Sequence, residues 1–334
     1  MYYFRKEKTY LEQFNETTKR GYDKIGSKKY IFWLIIYLIS IAVQIIPTYV
    51  ITFIIGIFLA VIAFATGTIE NLLTIQGNPF FEWVSLILST GTVIFSFFIY
   101  IKLIEKRPFS SIGLTGSKKL KKYLIGALVA IVMQLLYFGL VLLFGWAEII
   151  SEPINTTTGL GTSTIGLVLL FLIGFMVQGA SEEVVVRGWM MPVLSRHYKV
   201  STAIILSSAF FGFLHIINPN INLLSIVNLI LYGVFAALYS LNDQGLWGIF
   251  AQHSIWNWFM GNILGLPVSG MILGNASIIK TKLSGPTWIT GGAFGPEGGI
   301  IVTFILTVSI LILIRLLIKK DILSKQNHNL ERMQ

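Results

Sequence analysis

The chain has 334 residues, 54% of them hydrophobic and only 12% charged, with a mean hydropathy of +0.76. A soluble domain carries about 25% charged residues, so a polytopic membrane protein is expected and a soluble globular enzyme is not. The absence of cysteine excludes disulfides, thiolate catalysis and Cys-ligated metals. The net charge of +10 fits basic flanks beside anionic lipid, and no nucleic acid is expected as a partner.

Residues 1–29 hold Arg5, Lys6, Lys8, Lys19, Arg20, Lys24, Lys28 and Lys29. They form a basic, partly helical segment, and no secretory signal is expected ahead of the first apolar run. That run spans 30–67 and contains Gln44 and Pro47. It is long for one crossing and short for two with a turn. Apolar runs follow at 83–104 and 123–146, separated by a basic loop that reaches Lys118-Lys119-Leu120-Lys121-Lys122. A Thr/Gly-rich loop with Glu148 and Glu152 leads to a fourth run. This starts near Ile165 and carries Ser181-Glu182-Glu183-Val184-Val185-Val186-Arg187. Three more runs cover 201–217, 221–241 and 246–264. A Gly/Pro/Thr-rich stretch with Gly291-Gly292-Ala293-Phe294-Gly295-Pro296-Glu297-Gly298-Gly299 precedes the last run, 300–318.

With the first run counted as one crossing, near Pro47 tilted or kinked, all Lys and Arg but Lys280 and Lys282 fall on one side. The positive-inside rule makes that side cytoplasmic. The expected fold is therefore all-α, with about eight transmembrane helices, both termini cytoplasmic and the functional site inside the bundle. Five parts are expected. They are a basic segment (1–29), the N-terminal spans with their basic loop (30–122), a catalytic membrane core (123–265), an external Gly-rich loop (266–299), and a last span with a basic tail (300–334). The Lys- and Ile-rich, cysteine-free composition points to the plasma membrane of a low-GC bacterium.

Ionisable residues within membrane segments are costly and mark function by default. Here they are Glu182, Glu183, Arg187, His215 and His253, with Asn257 beside them. Glu183 and Arg187 stand four apart, the spacing of a pair on one helix face. His253 and Asn257 share that spacing, as do Phe211 and His215. At 1.5 Å per residue, Glu182, His215 and Asn257 lie about 21 Å from their cytoplasmic edges, and His253 about 15 Å. Three separate spans thus bring polar groups to similar depth. A carboxylate can act as general base on water. A histidine can share that water or protonate a leaving amine, and a second histidine with an amide can donate to an oxyanion. The spacing is not His-Glu-x-x-His, but Glu182, His215 and His253 are the set to consider for a zinc-type divalent ion.

The three motifs Glu182-Glu183-x-x-x-Arg187, Phe211-x-x-x-His215 and His253-x-x-x-Asn257, in that order on separate spans, resemble the CAAX-protease and bacteriocin-processing (Abi) family of intramembrane peptidases. That family is related to the type II CAAX prenyl endopeptidases. The likeness covers about 120–265. It implies an endopeptidase that cleaves membrane-associated protein or peptide substrates within the lipid bilayer. Glu182 would be the base, helped by His215. His253 and Asn257 would form the oxyanion site, and Glu183, Arg187 and Phe211 would support them. It leaves open whether a metal is needed. Two other classes compete. One is a non-catalytic membrane immunity or scaffold protein. The other is a proton-coupled transporter, which the lack of inverted repeats disfavours.

Overall fold

The computed structural model describes residues 2–12, 29–66, 78–150, 164–273 and 276–325. Most of the basic segment 1–29, Glu152 and the end of the tail lie outside the described residues. Eight helices of ten residues or more form the molecule among the described residues. They are α1 (Lys29–Thr66), α2 (Pro79–Ile99, running on as a π turn Tyr100–Ile104), α3 (Lys119–Leu143), α4 (Ile165–His197), α5 (Val200–Leu214), α6 (Leu223–Asp243), α7 (Trp247–Trp258, running on as a π turn Phe259–Ile263) and α8 (Ile300–Lys319). They match the eight apolar runs one for one, and the protein is a polytopic all-α membrane protein.

The expected count of about eight spans is not confirmed. Six helices, α1–α4, α6 and α8, are long and apolar enough to cross a membrane. The other two are too short, because a crossing needs about 20 residues. Helix α5 has 15 residues and stops at the turn before Asn218-Pro219-Asn220. Helix α7 has 12 before its π turn. These two helices carry the motif residues Phe211, His253 and Asn257, and His215 caps α5.

The first run is one continuous helix through Pro47. Its 38 residues give a rod of about 57 Å at 1.5 Å per residue, nearly twice a hydrocarbon core of about 30 Å. Its first half packs inward through Phe32 and Ile36, and the Tyr37 hydroxyl donates to the Leu206 carbonyl of α5. Its second half presents Tyr49, Phe53, Phe58 and Phe64 outward.

Helix α7 is the hub. It packs against α3 and α4, with α6 beside it; α6 packs in turn on α5 and α8, and α4 on α2. Small residues allow the close approaches. A Cβ on Gly126 of α3 would stand 1.9 Å from the Gly248 carbonyl oxygen of α7, and one on Gly179 of α4 would stand 2.8 Å from the Ser254 backbone nitrogen. The second approach sets the register of the site, because Gly179 and Ser254 are neighbours of the Glu182–Glu183 and His253 positions.

Short strands tie off each end. β1 (Tyr2–Phe4) pairs antiparallel with β4 (Leu323–Lys325), so the first and last described segments meet at one end of the bundle. Arg5 and Lys8 both reach Asp321 there. At that end Lys122 donates to the Asp243 carbonyl and Lys320 to that of Asn242. β2 (Ala147–Ile150) pairs with β3 (Lys280–Leu283) elsewhere, with Lys282 bonded to Glu148.

Candidate active site

Consecutive residues on an α-helix point about 100° apart, so Glu182 and Glu183 face different surroundings. Glu183 points into the core and is fully buried, whereas a quarter of the Glu182 side chain is exposed to a cavity. After Glu183 the helix widens into a π segment, Val184–Met190, before resuming as far as His197. The widening lies just ahead of Pro192, whose ring would clash with a carbonyl four residues back. A π turn relieves that clash and is frequent at functional sites.

Arg187 lies within the π segment. Its Nη1 donates to Glu183 Oε1 at 2.9 Å with neither side chain exposed, and Nη2 donates to the Gly233 carbonyl of α6 at 3.1 Å. The guanidinium carbon sits 4.8 Å from the centre of the Phe211 ring, within cation–π range. Phe211 therefore covers the ion pair from α5. His253 of α7 joins the same group, with Nδ1 2.8 Å from Glu183 Oε1. Tyr232 and Phe211 pack edge-on to the His253 ring. Tyr232 donates to the Gln252 side-chain oxygen at 2.7 Å.

Around Glu182 the packing is open. Gln178, one turn earlier on α4, donates to Glu182 Oε1 at 2.6 Å, and the Asn257 amide donates to the Gln178 oxygen at 2.9 Å. Glu182 Oε2 has no hydrogen-bond partner, and the His253 Nε2 atom lies 3.6 Å from it. That separation is too long for a direct hydrogen bond, and the oxygen itself is buried. His215 caps α5, with its backbone N–H on the Gly212 carbonyl. Its Nδ1 lies 2.8 Å from the Phe211 carbonyl oxygen. A carbonyl only accepts, so Nδ1 carries the proton and, in the neutral ring, Nε2 carries the lone pair.

A small cavity opens beside these groups. Glu182, His215, His253 and Asn257 all line it, with Gln178, Phe211 and Tyr232. The structure thus gathers every sequence-predicted candidate; Glu183 and Arg187 stand directly behind the cavity wall. The wall has further members that the motifs do not announce: Val268, Ser269, Met271, Leu273 and Glu297 from the loop between α7 and α8. Gln178 was findable, since it stands four residues before Glu182. Ser269 and Glu297 carry no local signal and reach the site only through tertiary folding.

Among the described residues no three His, Cys, Asp or Glu side chains could together hold an ion. The Nδ1 atoms of both histidines are engaged, His253 on Glu183 and His215 on a carbonyl, which leaves Nε2 as the free ring position of each.

The fold and site together define an integral membrane protein with a carboxylate–imidazole–amide cavity enclosed by its helices. Residues 164–259 match the family model described as type II CAAX prenyl endopeptidase Rce1-like, which bears out the resemblance carried by the three motifs. The matched segment holds all three motifs, and the family implies a protease. Nothing matches the chain among the curated proteins or among the solved structures.

Proposed function

We propose that the protein is an intramembrane endopeptidase that hydrolyses membrane-associated protein or peptide substrates with a water activated by Glu182. The observation that carries this reading is the contrast at the paired carboxylates. Glu183 is consumed by Arg187 and His253, while Glu182 keeps one oxygen without a partner beside an imidazole.

Gln178 fixes Oε1, which leaves Oε2 as the oxygen free to take a proton. Glu182 takes a proton as the water oxygen bonds to the scissile carbonyl carbon, and the carbonyl π electrons move onto its oxygen. The lone pair of His215 Nε2 accepts the second water hydrogen and orients the attack. Asn257 keeps one N–H free after bonding Gln178, and His253 in its imidazolium form adds Nε2–H while Nδ1–H stays on Glu183. Those two donors serve the oxyanion. The proton on Glu182 then passes to the leaving nitrogen as the C–N bond breaks. With His253 cationic, the charges of Glu182, Glu183, Arg187 and His253 cancel within the bundle, which suits an apolar surrounding.

The first and last described segments meet at the end of the bundle that is rich in bonded lysines, and by the positive-inside rule we assign that end to the cytoplasm. The test is incubation of purified protein in lipid nanodiscs with a peptide library, prenylated and unprenylated, with and without chelator. Cleavage that survives chelator is expected. Absence of cleavage under all conditions would contradict the reading.

A further inference from the structure

The stretch 266–299 looks in sequence like a flexible glycine-rich connector. In the structure its described residues, 266–273 and 276–299, form a folded wall. Gly291 and Gly295 adopt positive φ of 93°, and a Cβ at either would lie within 2.0 Å of a backbone oxygen, that of Gly295 or of Pro267. These glycines allow chain-on-chain packing that a side chain would block. At the centre of the wall is Glu297, a buried carboxylate that the proposed chemistry does not use. Its Oε2 accepts from the Ser269 backbone N–H at 2.8 Å and from the Ser269 hydroxyl at 2.7 Å. Its Oε1 accepts from the Trp256 indole N–H at 3.2 Å. Trp256 lies on α7 between His253 and Asn257, and Ser269 lies on the turn whose neighbours Val268 and Met271 line the cavity. Asn228 of α6 holds the carbonyls of Glu297 and Gly299 from behind.

We infer that Glu297 is a positioning residue that fixes the outer loop as a rigid wall of the substrate cavity, registered to the helix carrying His253 and Asn257. This rests on the protease reading for its consequence but not for its geometry. The Val268–Met271 bridge and the bond from Asn218 to the Ser269 carbonyl hold the turn's own shape. Losing Glu297 therefore loosens the wall against α7 and leaves His215 in place. A glutamine can keep its oxygen on Ser269 but turns an NH2 toward the indole N–H, so it loses one bond; alanine loses three.

The experiment compares Glu297→Gln, Glu297→Ala and Ser269→Ala with wild type in nanodiscs, using the best-cleaved library peptide and amide hydrogen exchange. KM is expected to rise about threefold for Gln and Ser269→Ala, and about tenfold for Ala. The value of kcat is expected to stay within about twofold, and exchange across 266–299 to quicken while α7 stays protected. Unchanged exchange in all three variants would overturn the inference. So would a fall in kcat and thermal midpoint together with KM unchanged, the mark of a merely structural role. If wild type cleaves nothing, the protease reading fails, and exchange alone then decides whether Glu297 pins the wall.

Discussion

Two adjacent carboxylates on one helix end in opposite surroundings. On the closed side, Glu183 and Arg187 are fully buried and sealed off by Phe211 and His253, whose other faces line the cavity. On the open side, Glu182, Gln178 and Asn257 form a short chain of hydrogen bonds that ends on a carboxylate oxygen with no hydrogen bond of its own, 3.6 Å from His253 Nε2. The difference separates what builds the site from what works in it. A buried ion pair gives little net stability but costs much when half of it is removed. A carboxylate that faces a cavity gives the fold little and is free to take a proton.

That division can be broken from either side. The largest stability effect is expected for Arg187→Met. It leaves Glu183 buried with His253 as its remaining partner, at a cost of about 3–5 kcal/mol, so the purified protein should lose folded yield and thermal midpoint, to be checked by fluorescence-detected chromatography and thermal melts. Removal of both charges in Glu183→Leu with Arg187→Met should recover much of that yield. On the open side, Gln178→Leu should leave the thermal midpoint within a few degrees. It should lower kcat by about tenfold, because one charge-assisted bond that aims Glu182 is worth about 1.5–3 kcal/mol.

The smallest effect is expected far from the cavity. Hydrogen bonds from Lys8 and Ser324, and then the charge of Arg5, hold the Asp321 carboxyl down to about 2, against an ordinary carboxylate near 3.9. The sign follows: the lowered group favours the joined β1–β4 clasp wherever it is ionised, and that contribution is lost as pH falls through about 2. Pepsin should therefore gain access to residues 2–12 only below about pH 3. Opening between pH 5 and 7 would show that other groups hold the clasp.

Much of this was legible in the chain. The eight apolar runs mark the eight helices to within a few residues, because membrane helices announce themselves by composition. The i, i+4 spacing of Glu183 and Arg187 correctly placed them on one face. Helix length within the site was not legible. α5 and α7 stop short because the outer loop folds in over their ends, and that is decided by contacts between distant segments such as Asn218 with Ser269 and Trp256 with Glu297. The partner of His253 Nδ1 was hidden for the same reason, since it depends on the Gly179–Ser254 approach between two helices. The glycine-rich stretch misleads in isolation, because glycine serves close packing as readily as flexibility.

The most direct test places Glu182→Gln beside Glu183→Gln in the same nanodiscs, with thermal midpoint and cleavage of one library peptide measured on each. The account predicts a Glu182→Gln protein that melts like wild type and has lost about 10³-fold in kcat, in the range of a removed general base, and a Glu183→Gln protein that melts lower. Normal turnover by well-folded Glu182→Gln protein would contradict it.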